Sequence, residues 1–329
     1  MSLFHSIQDQ KEMSRKNSIS VVIPCFNEQE NISEMYQRLQ TVLSKLTDTF
    51  EIIFVDNGST DDSNEIFESL VKKDSHVVVI SYSRNFGPHG AYTGGLEYAS
   101  SDAVVCIDGD LQDPPELISA MVKKWKEGFD VVYGIRKNRK GSKVRKFLTY
   151  WYYRILSKLS YIKIPLDAGD FALMDRKVVA VINAMPEHNK YFTGLRAWVG
   201  FRQVGIPYSR QKRHAGVTKF SLIDYTRWAL QSIFSFSYRP LELISYLAIM
   251  VVFLILIGIF IYILDFFFYP NNPRGFITLI LVILFLGGVQ LLCLSIIGQY
   301  LANIFEEVKS RPRYIIKGIK RRKRNEATS

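Results

Sequence analysis

The chain has 329 residues, which is enough for one large domain or two smaller ones. Its net charge of +11 points to nucleic acid, anionic lipid or phosphorylated compounds as partners. Cys25, Cys106 and Cys293 are widely spaced in apolar surroundings, which excludes a disulfide framework and a zinc site and suits a reducing compartment.

The first 17 residues are polar, lack the apolar core of a signal peptide and are predicted to be disordered. Beyond them, short apolar runs alternate with segments of helical spacing. The predicted strands are 18–23, 51–55, 77–81, 103–107 and 130–133. The predicted helices between them are 28–44, 61–73, 88–99 and 115–126. This alternation predicts an α/β fold with a doubly wound, mostly parallel sheet.

The stretch after the fourth predicted strand is the most informative about chemistry. Asp108 and Asp110 flank a glycine, and two prolines that fit a helix start follow them, so the acids occupy a strand-to-helix turn. Open α/β sheets bind ligands at that edge. With Gln112 as a further oxygen ligand, the two carboxylates predict a divalent-cation site that also holds a diphosphate. A solvated acidic turn is the alternative, but the flanking strand and prolines favour the metal site.

Short polar residues and turn formers follow three other predicted strands: Pro24, Asn27 and Glu28; Asp56 and Asn57; and Asn85 and Gly87. Asp56 is a candidate acceptor for hydrogen bonds from a base or ribose. Backbone N–H groups near the helix starts are candidate ligands for phosphate oxygens. The alternative is ordinary helix capping by Asn27 and by Ser59 or Thr60.

A basic run without any acid follows the fifth predicted strand: Arg136, Lys137, Arg139, Lys140, Lys143, Arg145 and Lys146. Arg136, Lys143 and Arg145 are the candidates for binding a lipid phosphate at the membrane surface. General attraction to anionic lipid is the alternative. Nucleic acid is the other partner that such a run favours, and the membrane segments described next argue against it.

Two apolar runs, 241–264 and 276–304, each exceed the roughly twenty residues that span a bilayer core, and they predict a transmembrane hairpin. Basic residues lie before the first run and after the second, so both ends of the hairpin and the preceding domain are expected in the cytoplasm. Segments 143–160 and 222–236 mix aromatic, apolar and basic residues and predict amphipathic helices at the membrane surface. Helices packed on the sheet are the alternative for both.

Together, the motifs around Asn27, Asp56, Asn85 and the Asp108–Asp110 pair resemble those of family 2 glycosyltransferases with the GT-A fold. One catalytic domain followed by two membrane spans is similar to the polyprenyl-phosphate glycosyltransferases, which include bactoprenol glucosyltransferases and dolichol-phosphate mannosyltransferases. The resemblance covers roughly residues 18 to 310. It implies an inverting transfer of one sugar from a nucleoside diphosphate to a lipid monophosphate, with Mg²⁺ or Mn²⁺ as cofactor.

The resemblance also implies roles for donor-site residues. Asp56 would contact the nucleobase side of the donor, and Asp108, Asp110 and Gln112 would surround the metal. A segment from Arg213 to Lys219 matches the family pattern R-x-x-G-x-[ST]-K, which closes over the donor diphosphate. A solvated basic loop is the alternative for that segment.

On the acceptor side, the resemblance points to the segment that begins at Asp167. Asp170 is expected nearest the attacking oxygen, with Asp167 second. Because a phosphate monoester has its second pKa at about 6, it is already largely charged at neutral pH. Asp170 is therefore expected to orient the acceptor or stabilise charge on the sugar as much as to act as a base.

The resulting prediction has five parts: a disordered segment 1–17, a GT-A domain 18–220, an interfacial helix 221–240, two membrane helices 241–304 and a basic cytoplasmic tail 305–329. The expected reaction moves glucose from UDP-glucose to undecaprenyl phosphate at the plasma membrane, in a homo-oligomer and without nucleic acid. GDP-mannose is the alternative donor. A processive polysaccharide synthase is disfavoured because Asp224 stands where its Q-x-x-R-W segment has glutamine. A non-catalytic scaffold is disfavoured because the metal-site acids are present.

Overall fold

The computed structural model describes residues 17–137, 154, 165, 167–187, 190–211, 239–268 and 275–322. The predictions that involve Lys143, Arg145, Arg213 and Lys219 lie outside these residues, as do segment 222–236 and, Arg154 aside, segment 143–160. The chain divides into two compact units. The first contains the sheet with its helices, and the second contains two long apolar helices.

The first unit begins with regular alternation of strands and helices, as predicted, and each predicted element is present with ends shifted by a few residues at most. In chain order its elements are β1 (Ile19–Cys25), α1 (Gln29–Leu43), β2 (Phe50–Asp56), α2 (Ser63–Lys73), β3 (Val77–Tyr82), α3 (Gly87–Tyr98), β4 (Ala103–Cys106), α4 (Leu117–Lys126), β5 (Val131–Lys137), β6 (Ala168–Asp175), α5 (Arg176–Ala184), α6 (Phe192–Trp198) and β7 (Gln203–Ser209).

The eight strands form one sheet in the order β7-β5-β6-β4-β1-β2-β3-β8, where β8 spans Ile316–Arg321. The pairs β1–β2, β2–β3, β1–β4 and β5–β7 are parallel, whereas β6 and β8 run antiparallel to their neighbours. The predicted α/β class and GT-A-like sheet are confirmed. The chain winds one way from β1 to β3 and continues on the other side of β1 with β4, which puts the topological switch point between β1 and β4.

The central strands are apolar throughout because helices cover both faces of the sheet. Along β1, Val21 and Ile23 belong to the cluster that packs on α1, α2 and α4, and Val22 belongs to the cluster on α3 and α5. All three side chains are fully buried. Burial on both faces removes the polar alternation of a half-exposed strand and leaves the strand ends as the places for polar chemistry.

The basic tail proposed for residues 305–329 contains structure that the sequence analysis did not predict. Strand β8 pairs antiparallel with β3 at the edge of the sheet. Just before it, the Tyr314 ring stacks on Tyr82 at 4.9 Å between ring centroids, and the Tyr314 hydroxyl donates a hydrogen bond to Glu97. Lys320 in β8 pairs with Glu68 at 2.7 Å. These contacts make the segment part of the first unit.

The second unit contains α7 (Arg239–Phe268) and α8 (Phe276–Lys309), so helices occupy both predicted apolar runs. The stretches Arg239–Ile261 and Val282–Lys309 are long and apolar enough to cross a membrane. Their apolar side chains are largely exposed in the chain by itself. In water such exposure would be costly, whereas in a bilayer it is the favourable arrangement.

Candidate active site

One edge of the sheet gathers most of the described residues that the sequence analysis singled out. Strands β1, β2, β4, β5 and β7 all end there, and β6, which runs the opposite way, begins there. The β4–β6 register pairs Cys106 with Ala172. Continuing that register by two residues brings Asp108 level with Asp170. The antiparallel β6 therefore brings the predicted acceptor-side acid to the donor-side acids.

The turn after β4 is held tightly against the end of β1. A side chain at Gly109 would place its Cβ 2.8 Å from the Pro24 carbonyl oxygen, so only glycine allows this approach. Leu111 adopts a φ of 58°, which is uncommon for a residue with a side chain. The Asp110 carboxylate accepts a hydrogen bond from the Gln112 N–H at 3.1 Å. The turn is thus fixed in a strained conformation, a feature that is concentrated at functional sites.

Asp108 lies at the centre of the site. One of its oxygens, Oδ1, accepts a hydrogen bond from the Tyr92 hydroxyl at 2.8 Å. The other, Oδ2, lies 3.4 Å from Arg210 Nη2 and 3.8 Å from Arg136 Nη2. Burial, followed by the carboxylates of Asp113 and Asp110, raises the pKa of Asp108 to about 6, while the two arginines act in the opposite direction. The site therefore concentrates negative charge that needs a cation.

Asp113 is a third carboxylate of this group, and the sequence analysis assigned it no role. Its side chain is fully buried. It accepts hydrogen bonds from the Tyr208 hydroxyl and from Arg136, and Arg210 Nε lies 3.2 Å from its Oδ1. A buried carboxylate requires such partners. Asp113 therefore anchors the two arginines beside Asp108 and Asp110, whose side chains are less buried.

Arg136 was predicted to bind the acceptor phosphate, and it lies next to the donor-side acids. Its guanidinium packs flat on Gly169, where a Cβ would come within 2.5 Å of Nη2. The Arg136 N–H donates to the carbonyl of Asp167, which adopts a φ of 58°. The close approach at Gly169 and the unusual backbone at Asp167 together position this arginine at the start of β6.

Asp170 is partly buried among residues that the sequence analysis missed. Its Oδ1 accepts a hydrogen bond from the Thr193 hydroxyl at 3.0 Å. The neighbouring Arg196 is fully buried, donates to the Gly169 carbonyl at 3.1 Å and stacks over the Tyr133 ring. Burial lowers the pKa of Arg196, and Asp170 opposes that shift. No motif marks Thr193 or Arg196, and only the fold brings them to Asp170.

The turns after β1 and β2 bind each other. The Asn27 side chain accepts a hydrogen bond from the Thr60 N–H at 2.8 Å, and the Ser59 hydroxyl accepts one from the Asn27 N–H at 3.0 Å. The residues preceding α1 and α2 are Glu28 and Asp62, and neither caps its helix through a side chain. The N-cap positions of these helices are therefore Glu28 and Asp62, not Asn27, Ser59 or Thr60.

Asp56 and Asn57 lie at the end of β2, beside these turns. Asp56 is buried and accepts a hydrogen bond from the Ser59 N–H at 2.9 Å. The Asn57 amide holds the third polar turn, since it donates to Asn85 and to the Gly87 carbonyl at 3.0 Å each. Gly87 adopts a φ of 81°, which explains the glycine. Three turns that are distant in the sequence thus form one wall.

The oxygen atoms of Asp108, Asp110 and Gln112 are of the kind that Mg²⁺ or Mn²⁺ binds. A neutral donor holds one oxygen of each carboxylate, and Oδ2 of each faces a guanidinium. Their chemistry therefore fits a divalent cation whose remaining ligands come from substrate phosphates. Among the described residues, no three acidic, histidine or cysteine side chains form a ready-made metal cage. The Arg210 guanidinium lies between the acids instead.

Comparison with known proteins identifies the family of this chain. The model of the family "Glycosyl transferase family 2" matches residues 20–182. An uncharacterised glycosyltransferase of Synechocystis is 42% identical over 299 residues, which cover 91% of this chain and 94% of that protein. A prophage-derived bactoprenol glucosyl transferase of Shigella flexneri is 39% identical over 301 residues, covering 91% and 97%. The chain belongs to glycosyl transferase family 2 and is a glycosyltransferase.

Solved structures give a more distant likeness. Glucosyl-3-phosphoglycerate synthase from Mycobacterium tuberculosis has a TM-score of 0.47 and 21% identity, with 66% of this chain and 78% of that one covered. At this distance the likeness carries no information about substrate. The site described above therefore rests on this chain's own residues.

The raised pKa of Asp108 predicts how stability depends on pH. Because its folded-state pKa of about 6 exceeds the ordinary 3.8, the folded protein binds this proton more tightly than the unfolded chain does. The stabilisation is fully present below about pH 4 and is lost as the pH rises through 6. Asp108→Asn removes the charge and keeps an acceptor for Tyr92. In EDTA at pH 7 we expect its unfolding temperature to exceed wild type by about 1–3 °C.

Thermal unfolding of the full chain in detergent at several pH values measures this difference. Glu116→Gln is a control of opposite sign, because the hydrogen bond from Arg38 lowers the pKa of Glu116. That variant should be the less stable one at pH 7 and match wild type at low pH. An Asp108→Asn protein that unfolds at or below the wild-type temperature at pH 7 would contradict the described electrostatics.

Proposed function

We propose that this glycosyltransferase transfers one glucose from UDP-glucose to undecaprenyl phosphate, or a related polyprenyl phosphate, at the cytoplasmic face of the plasma membrane. One observation carries the proposal: Asp108 and Asp110, Arg136 and the start of β6 with Asp170 lie at the same sheet edge. The relatives named bactoprenol glucosyl transferase supply the substrate class.

The donor would lie against the wall formed by the turns after β1, β2 and β3. Asp56 would accept hydrogen bonds from the uracil or ribose, beside the turns of Asn27 and Asn85. The diphosphate would then reach Asp108 and Asp110. A Mg²⁺ or Mn²⁺ ion bound by these acids and Gln112 would offset the negative charge that grows on the departing diphosphate. We propose that Arg213 and Lys219 close over it from the segment outside the described residues.

In the reaction, an oxygen of the acceptor phosphate attacks the anomeric carbon of the sugar from the side opposite UDP. A new C–O bond forms as the bond to UDP breaks, and UDP leaves with the bonding electrons, which inverts the configuration. Arg136, with Lys143 and Arg145 outside the described residues, would bind the acceptor phosphate by charge. Asp170, held by Thr193, would orient the acceptor or stabilise positive charge on the sugar, with Asp167 nearby.

The membrane part of the proposal rests on α7 and α8. A polyprenyl acceptor remains in the bilayer, so an enzyme that acts on it benefits from a membrane anchor. The two helices have the length and composition of membrane spans. Arg239 is the first residue of α7 and Lys309 is the last residue of α8, with Arg311 and Arg313 just beyond it. This placement of basic residues favours a cytoplasmic location for both ends. We further propose that the anchor supports a homo-oligomer.

Transfer assays with the full-length protein test the function. Protein in detergent with radiolabelled UDP-glucose, undecaprenyl phosphate and Mg²⁺ should give one sugar per lipid. Asp110→Asn should lower kcat by about a hundredfold or more, the scale of losing one preorganised electrostatic group. Glu127→Gln, a surface acid paired with Lys124, is the matched control and should keep wild-type turnover.

Other products would assign other functions. A polymer would indicate a processive synthase, and transfer from GDP-mannose alone would indicate a mannosyltransferase. If no nucleotide sugar in a donor panel is consumed, the proposed reaction is wrong. Near-normal turnover of Asp110→Asn would remove this residue from the donor site.

Asp170→Asn tests whether Asp170 titrates during catalysis. Because the acceptor phosphate is charged above about pH 6 without help from a base, we expect kcat to fall across the whole pH range while the profile keeps its shape. Thr193→Val, which removes the hydrogen bond to Asp170, should produce a smaller fall of the same form. Loss of the acidic limb of the profile in Asp170→Asn alone would instead identify Asp170 as the general base.

A further inference from the structure

Arg210 stands directly after β7, and neither a motif nor the resemblance gives it a role. In the structure its guanidinium lies within 4 Å of three carboxylates. Nη2 is 3.4 Å from Asp108 Oδ2 and 3.9 Å from Asp110 Oδ2, and Nε is 3.2 Å from Asp113 Oδ1. The guanidinium of Arg210 thus lies among all three acids of the turn.

The lengths of these contacts indicate that Arg210 neutralises the acids without forming short, well-aligned ion pairs. Charge-assisted hydrogen bonds are usually about 2.7–2.9 Å long. Arg38 shows that geometry in this protein, since its Nε and Nη2 bind the two oxygens of Glu116 at 2.8 and 2.6 Å. The contacts of the Arg210 guanidinium are longer than those of Arg38, and no acceptor lies where the Arg210 Nε–H group could donate a hydrogen bond to it. Another cation can therefore replace these contacts at modest cost.

The backbone keeps Arg210 at the site whatever its side chain contacts. Strand β7 pairs with β5 up to Ser209, and the Gln211 N–H donates to the Gln112 carbonyl at 2.9 Å. This bond ties the end of β7 to the turn that carries the acids. The side-chain exposure of the acids falls from 35% for Asp108 to 11% for Asp110 and 0% for Asp113. Asp113 is thus the buried anchor, and the other two acids are more exposed to solvent.

A divalent cation bound by Asp108 and Asp110 would compete with Arg210 for the same oxygens. Like charges at such short range repel strongly outside bulk water. A diphosphate that arrives with the cation would offer Nη2 new oxygens, and guanidinium groups bind phosphate well. The side chain needs to rotate only its outer end, because Asp113 remains beside Nε.

We infer that Arg210 is a diphosphate-binding residue that neutralises Asp108 and Asp110 until a divalent cation takes over these acids, and that its guanidinium then binds the donor diphosphate. The inference rests on the proposed function for the identity of the donor. It predicts that Arg210 weakens binding of the cation alone and strengthens binding of the cation together with a diphosphate. An arginine with a purely structural role would not weaken binding of the cation alone and also strengthen binding of the cation with a diphosphate.

Binding of Mn²⁺ to the full-length protein, followed by the electron paramagnetic resonance signal of the free ion, tests this with inorganic pyrophosphate as the probe. Arg210→Gln should bind Mn²⁺ alone about three- to tenfold more tightly than wild type. The factor by which pyrophosphate tightens Mn²⁺ binding should fall by about tenfold in the variant. Arg210→Lys, which keeps the charge, should bind Mn²⁺ alone about as wild type does.

Arg202→Gln is the matched control, since Arg202 precedes the opposite end of β7 and stacks over Phe129. It should leave both quantities at wild-type values. Equal weakening of both in Arg210→Gln, or no change in either, would overturn the inference. If Arg210→Gln binds Mn²⁺ more tightly but pyrophosphate still tightens Mn²⁺ binding as much as in wild type, Arg210 does not bind the diphosphate.

The inference and the proposed function can fail separately. A wild-type protein that glucosylates polyprenyl phosphate while Arg210→Gln binds Mn²⁺ and pyrophosphate normally would refute the inference alone. A protein that shows the expected binding changes but transfers no sugar to the lipid would refute the proposed function and leave the role of Arg210 intact.

Discussion

The electrostatic balance at the end of β4 is the interaction on which the rest of the site depends. Three carboxylates share one turn, and the arginines at the ends of β5 and β7 neutralise them. Without the arginines, three such carboxylates would destabilise the folded protein, because burial and mutual repulsion both disfavour their ionised form. The same repulsion would favour the proposed divalent cation at this turn. Stability and the proposed metal binding would then oppose each other, as is common at active sites.

The order of strands brings further polar residues to this local charge. Inserting the antiparallel β6 between β4 and β5 brings Asp167 and Asp170 beside Asp108 and next to Arg136. A fully parallel sheet would begin β6 at the opposite edge. Backbone strain collects at the same place, since Asn27, Leu111 and Asp167 have positive φ. The surrounding hydrogen bonds hold these strained conformations. We infer that the strain is tolerated because it places the turns precisely.

Much of this was predictable from sequence because local patterns encode it. Buried strands and helix starts identified β1 to β5 and placed Asp56, Asp108 and Asp110 at the correct edge. Periodicity carries no information on strand direction, and the segment that begins at Asp167 was identified by resemblance without a predicted strand. Strand β8 was not predicted, because its isoleucines stand among basic residues and the segment was interpreted as part of a basic tail. Arg210, Thr193 and Arg196 owe their positions to tertiary pairing, which no short motif encodes. Asp113 lies in the predicted turn, but its partners Tyr208 and Arg210 come from β7 and the residue after it.

Titration of the divalent cation in the transfer reaction tests the central claim most directly. In EDTA, transfer of glucose from UDP-glucose to polyprenyl phosphate should fall by about a hundredfold or more, the scale of losing one preorganised electrostatic group. Added Mn²⁺ should restore it with saturation. Undiminished transfer in EDTA would contradict the account, because Asp108 and Asp110 would then act without a metal.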